Sequence, residues 1–173
     1  MSTAADPDRL QRLSEAMVEA ARRAGADQAD AMAMDGLSVG IDHRGGALEQ
    51  AERSEGLQIG LRVLVGGRQA AVSSSDHGTA VIAEMAARAV ALAREAPVDD
   101  TLGLADPDQL AQVRAAAGLE LAEAAPEPDP AHLQELARRA EAAAMSVPGI
   151  AQVEAANAGY SQRRMWLAAS NGF

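Results

Sequence analysis

The spacing of apolar residues divides the chain into segments of two different periods. Leu10, Leu13, Met17 and Ala21 recur at helical spacing and predict an amphipathic first helix. Asp6 is placed to cap it, Pro7 to occupy its first turn and Gly25 to end it. The period then falls to two. Ala29–Met34 and Leu37–His43 read as strands, and Asp35-Gly36 between them is a two-residue hairpin signal. In the second of these, Leu37, Val39 and Ile41 alternate with Ser38, Gly40 and Asp42. Arg44-Gly45-Gly46 predicts a turn into Ala47–Ser54, a polar strand with one wet face. Leu57–Val65 alternates most clearly of all, and Gly66-Gly67 turns it into Arg68–Ser74.

From Asp76 the helical period returns, with Val81, Ile82, Met85, Ala89 and Leu92 on one stripe and a stop near Ala96-Pro97. Val98–Pro107 reads as loop, Asp108–Leu121 as Ala-rich and partly helical, and Ala124–Pro130 as a linker-like breaker. Asp129-Pro130 opens another helix with Leu133, Leu136, Ala140 and Ala144 inward, stopped by Pro148-Gly149. Gln152–Tyr160 and Arg163–Ala169 predict a last hairpin. The expected fold is α+β: a mostly antiparallel sheet of about five to seven strands covered by two or three long helices. Residues 1–173 are expected to form one domain. Asn171-Gly172 is a turn signal with only Phe173 after it, which reads as a cut through a longer protein.

Composition sharpens this. Apolar residues make up 48% of the chain but aromatics only 2%, so the core must be built from Ala, Val, Leu, Ile and Met. The net charge of −10 disfavours contact with nucleic-acid backbones. The absence of cysteine excludes a disulfide framework, a thiolate zinc site and a cysteine nucleophile. The first residues have neither a basic nor an apolar signal region, and no segment approaches the roughly 18 consecutive apolar residues of a membrane span. These features predict a cytoplasmic protein.

A search for chemistry finds no self-contained active site. His43, His77 and His132 lie far apart in sequence, whereas a zinc-hydrolase helix places two histidines one turn apart beside a glutamate base. They read as surface or capping residues. Ser73-Ser74-Ser75 lacks a nucleophile elbow and reads as a turn with N-capping hydroxyls. Neither Gly45-Gly46 nor Gly66-Gly67 has the spacing of a phosphate loop. Glu49, Glu52 and Glu55 with Arg53 read as a solvated strand face, or as a contact surface for a partner or peptide.

The segment from Leu37 to Asp76 resembles the amino-terminal domain of the TldD/PmbA family, in its PmbA (TldE) branch. The residues that carry the resemblance are Glu49, Glu52, Arg53, Ser54 and Glu55, then Gly60, Arg62 and Val63, then Ser73–Asp76. Gly103–Pro107 and the closing Ser170–Phe173 add to it. The likeness covers roughly Gly25–Leu110 and Val153–Phe173, and Gln69-Ala70-Ala71 departs from the pattern where relatives carry a glycine.

The resemblance implies an amino-terminal α+β domain that relatives join to a β-rich carboxy-terminal domain, the latter absent from these 173 residues. It implies a TldD-like partner subunit whose H-E-x-x-x-H motif binds zinc, and a joint chamber that cleaves unfolded peptides. Members are also described as modulators of DNA gyrase. No zinc ligand or catalytic residue carries over to this chain. Glu49, Glu52, Arg53 and Arg62 are the candidates for partner or peptide contact. The alternative is a stand-alone α+β interaction module without a peptidase role.

Overall fold

The structure, a computed structural model, describes residues 6, 8–113, 118–121, 123 and 125–173. Helix α1 spans Arg9–Ala24, and strands β1 (Gln28–Arg44), β2 (Ala47–Val65) and β3 (Arg68–Ser74) follow in succession. Helix α2 (Thr79–Glu95), a short 3₁₀ turn at Pro107–Gln109, helix α3 (Pro130–Met145) and strand β4 (Ala156–Ala169) complete the order. The strands form one antiparallel sheet in the order β3-β2-β1-β4. The fold is α+β, as the hydrophobic pattern predicts.

Among the described residues the sheet has four strands, not five to seven, because predicted pairs of strands are single long ones. Asp35-Gly36 is no hairpin. A two-residue turn of the type this dipeptide favours needs positive φ at both positions, and Gly36 does not have it. Gly36 serves close approach instead: a Cβ there would stand 3.3 Å from the carbonyl oxygen of Gln162. Asp35 accepts a 3.0 Å hydrogen bond from Arg164 Nε. β2 likewise runs straight through Gly56, and β4 runs through Ser161-Gln162, where the last hairpin was expected. Residues 151–153 are irregular, so β4 starts later than predicted.

The two Gly-Gly pairs do turn the chain. Gly45 and Gly46 have φ of 60° and 79°, and Gly66 and Gly67 of 55° and 69°. The second pair sets the register of β2 on β3, from Val65↔Arg68 to Ile59↔Ser74.

The chain forms two compact units. The first comprises the described residues of Met1–Asp35, Leu57–Ala115 and Arg164–Phe173. Its core joins Leu10, Met17 and Ala21 of α1, Ala29, Ala31 and Ala33 of β1, Ile59, Leu61 and Val63 of β2, and Ile82, Met85 and Ala89 of α2. Alternate residues of β1 and β2 therefore face this core, as strand geometry requires. Burying each of the larger side chains contributes about 1.5–3 kcal/mol. Leu92, predicted inward, is 46% exposed, and Ala86, Val90 and Ala93 complete the buried stripe instead.

α1 ends as predicted. Gly25 adopts φ 96° and its N–H reaches back to Ala21 and Arg22. Its first turn starts at Asp8, whose side chain makes no capping bond, while Asp6 holds the N–H of Asp8 from outside. Pro7 lies outside the described residues. The serine run is not a turn as a whole: Ser73 and Ser74 end β3 and only Ser75 lies in the bend, and the hydroxyls do not cap α2. Ser74 Oγ accepts from Asp76 N and Asp76 Oδ1 from Gly78 N, leaving Gly78 as the N-cap residue.

The second unit comprises Gly36–Gly56 and the described residues of Ala116–Arg163. Its core is Val39 and Ile41 of β1 with Leu133 and Ala137 of α3, flanked by Leu37, Ala158 and Tyr160. α3 is capped as predicted: Asp129 accepts from Ala131 N at 2.9 Å, with Pro130 in the first turn. Its buried line is Leu133, Ala137 and Glu141, not the predicted Leu136, Ala140 and Ala144. Four-residue spacing makes a narrow seam, and only one side of it meets β1. In the predicted partly helical Asp108–Leu121, residues 114–117 lie outside the described residues, and 110–113 and 118–121 are irregular. Among the described residues no helix is long and apolar enough to cross a membrane.

Candidate functional site

In the second unit the alternation of β1 carries an unexpected residue inward. Val39 and Ile41 face α3, and two residues further on so does His43, which is only 3% exposed. One helical turn beyond Ala137, α3 presents Glu141, itself 6% exposed. His43 Nδ1 and Glu141 Oε2 stand 2.6 Å apart. The adjacent turn adds a donor, with Gly46 N 3.1 Å from Glu141 Oε2 and 3.4 Å from Oε1.

These bonds hold the Glu141 carboxyl below the usual carboxylate range. The hydrogen bond with His43 contributes most, the N–H groups of Gly46 and Gly45 assist, and burial opposes. An ionised Glu141 can only accept, so Nδ1 of His43 carries the proton it shares with the carboxylate. Among the described residues the ring's other nitrogen, Nε2, has no protein hydrogen-bond partner. The pair borders a cavity of about 440 Å³, also lined by Arg44, Arg138, Met145 and Val153. That volume falls within the range of small-molecule sites. A carboxylate-oriented imidazole beside such a space can accept a hydrogen bond or relay a proton. Among the described residues no group of three or more His, Asp or Glu is placed to hold a metal ion.

The histidines therefore divide. His43, expected at the surface, is buried because it continues the inward series of β1. His77 is half-buried, with Nε2 2.7 Å from Arg9 Nη2. His132 is exposed in the first turn of α3.

The residues considered for partner or peptide contact are not gathered in one place. Glu49 lies 3.3 Å from Arg44, and Arg53 pairs with both Glu55 and Glu127. Glu52 is exposed and borders a shallow cleft with Ser38, Asn157 and Tyr160. These three belong to the second unit, whereas Arg62 belongs to the first and is held by Asp30 at 2.9 Å. Glu141 was missed by sequence reasoning. The available signal was its position four residues after Ala137 and eight after Leu133.

Comparison with known proteins places this architecture. Residues 29–93, from β1 into α2, match the family model described as PmbA/TldA metallopeptidase domain 1. Over these residues the chain is similar to the first domain of that family. The structure is similar to a modulator of DNA gyrase from Bacteroides thetaiotaomicron, with a TM-score of 0.74 and 15% identity over 94% of this chain. It is similar to TldE from Thermococcus kodakarensis, with a TM-score of 0.70 and 15% identity over 91% of this chain. A third likeness, to a modulator of DNA gyrase from Thermotoga maritima, has a TM-score of 0.59 and 11% identity over 94% of this chain. At these identities the likeness is one of fold. The chain spans 37%, 35% and 36% of the three solved chains. No curated protein matches the sequence significantly.

Proposed function

We propose that this chain is the amino-terminal domain of a TldE/PmbA-branch subunit, a non-catalytic part of a TldD–TldE-type metallopeptidase that cleaves unfolded peptides. The observation that carries this reading is the match of residues 29–93 to a metallopeptidase first domain, joined to a TldE-like fold over 91% of the chain. In this reading zinc and the catalytic residues belong to a TldD-like partner in the cytoplasm. There, metal-activated water attacks the peptide carbonyl. This chain contributes subunit contact and chamber wall, with Glu49, Glu52, Arg53 and Arg62 on the faces offered to partner or peptide. Its exposed edge strands suit extended peptides, which sheet edges hold through backbone hydrogen bonds largely independent of sequence.

The test is co-expression of the full-length gene product with its host's TldD-like protein. Copurification and cleavage of an unstructured peptide only when both are present are the expected results. A chain that stays monomeric beside its partner, with cleavage unaffected by its removal, refutes the proposal and favours a stand-alone interaction module.

A further inference from the structure

The cavity beside the β1–β2 turn has more hydrogen-bond donors than acceptors. Its one carboxylate is engaged, since Glu141 accepts from His43 Nδ1 and Gly46 N. Its arginines are only partly engaged. Arg44 uses one N–H on Glu49 at 3.3 Å, and Arg138 uses Nε and Nη2 on Glu135 at 2.7 Å each. A guanidinium carries five N–H donors, so among the described residues Arg138 keeps its Nη1 group and Arg44 most of its fork without a partner. Facing these, the ring of His43 turns Nδ1 to Glu141 and leaves Nε2 without a protein partner among the described residues, on a side chain that is almost wholly buried. Met145 and Val153 supply an aliphatic wall.

A ligand complementary to this lining needs three parts: an anionic acceptor for the arginines, an N–H for His43 Nε2, and a short aliphatic group. We infer that the cavity binds the free carboxyl-terminal residue of a peptide, an N-acyl amino acid with an aliphatic side chain. The carboxylate lies against Arg44 and Arg138, the last amide N–H donates to His43, and the side chain packs on Met145 and Val153. Glu141 is a positioning residue: it holds the ring so that its acceptor nitrogen faces the ligand. The choice of a peptide as the source rests on the proposed peptidase role, whereas the three-part recognition rests on the lining alone.

The test titrates the full chain, at neutral pH, with N-acetyl-leucine, N-acetyl-leucinamide and 4-methylpentanoate, followed by calorimetry. The amide lacks the carboxylate, and the simple acid lacks the N–H. N-acetyl-leucine is expected to bind with a dissociation constant on the order of 1 mM, and the other two at least about tenfold more weakly. Met145→Glu adds a negative charge at a side chain that is 44% exposed and leaves the His43–Glu141 pair intact, so the fold tolerates it. This variant is expected to lose at least about tenfold in affinity for N-acetyl-leucine with an unchanged circular dichroism spectrum. Equal binding of all three probes, no binding of N-acetyl-leucine, or indifference to Met145→Glu each overturns the assignment. Such a failure leaves the peptidase proposal intact. Conversely, a chain that stays monomeric and whose removal leaves cleavage unaffected refutes that proposal while this binding result stands.

Discussion

Met17 is the largest fully buried side chain of the first unit, and replacing it tests how that core is held together. Met17→Ala removes the side chain from a site with no solvent exposure. Large-to-small changes of this kind cost about 2–5 kcal/mol, the spread reflecting how far neighbours collapse into the space. Here collapse is limited. The core around it includes Ala20, Ala21, Ala29, Ala31, Ala33, Ala86 and Ala89, none of which has a rotatable side chain to swing inward. The expected loss therefore lies in the upper half of the range, about 4 kcal/mol. That is a large share of the roughly 5–15 kcal/mol that holds a domain folded.

The chain's single tryptophan, Trp166, belongs to the same unit, and its carbonyl accepts a 3.0 Å hydrogen bond from Ser14 of α1. Its fluorescence during urea unfolding thus reports this unit. With a denaturant slope of about 2 kcal/mol/M, the midpoint should fall by about 2 M. Met17→Leu conserves volume and should cost less than about 1.5 kcal/mol. A shift below about 0.5 M for the alanine variant, or equal damage from leucine, would refute the account of a core with few large anchors.

Further outcomes follow from other sites. The depressed Glu141 carboxyl contributes stability that is present above its ordinary carboxylate value and lost as pH falls through its lower folded value. Acid titration followed by amide exchange should therefore open the β1–β2 turn and α3 in that window, and Glu141→Gln should abolish the pH dependence. Gly67→Ala forces a side chain into φ 69° with its Cβ 3.4 Å from Val98, and should cost about 1–2 kcal/mol in thermal or urea unfolding. Gly60→Ala, in strand β2 with open space around it, should be neutral or stabilise by about 0.5 kcal/mol; a comparable loss at both glycines counts against the backbone argument. Asp129→Ala removes the cap of α3 and should cost about 1 kcal/mol by chemical denaturation, with Asp129→Asn retaining most of the stability.

Where a feature depends on its immediate neighbours in the chain, its residues announced it. The two Gly-Gly turns, the Gly25 stop and the Asp129 cap each satisfy a constraint on one or two backbone angles, and each stands where the pattern put it. The Asp35-Gly36 signal misled because the same dipeptide suits a strand that must approach another closely. The difference lies in Gln162 and Arg164, more than a hundred positions away. Periodicity located α2 and α3 and part of their buried faces, Ile82, Met85 and Ala89 in the first and Leu133 in the second, but not the rest. Leu92 and Leu136 are apolar enough to be inside, yet geometry gives the positions to Ala93 and Ala137.

By itself the sequence determined an α+β chain of alternating strands and amphipathic helices, a core short of aromatics, and a resemblance concentrated in the strands of its first half. These are local patterns and composition, legible without partners. Only the tertiary structure decided that, among the described residues, the sheet has four strands, and that His43 leaves the surface to meet Glu141, 98 residues distant. Neither residue carries a motif. Each is placed by the parity of its strand or the turn of its helix, and their chemistry exists only because the fold superimposes the two periods at one point.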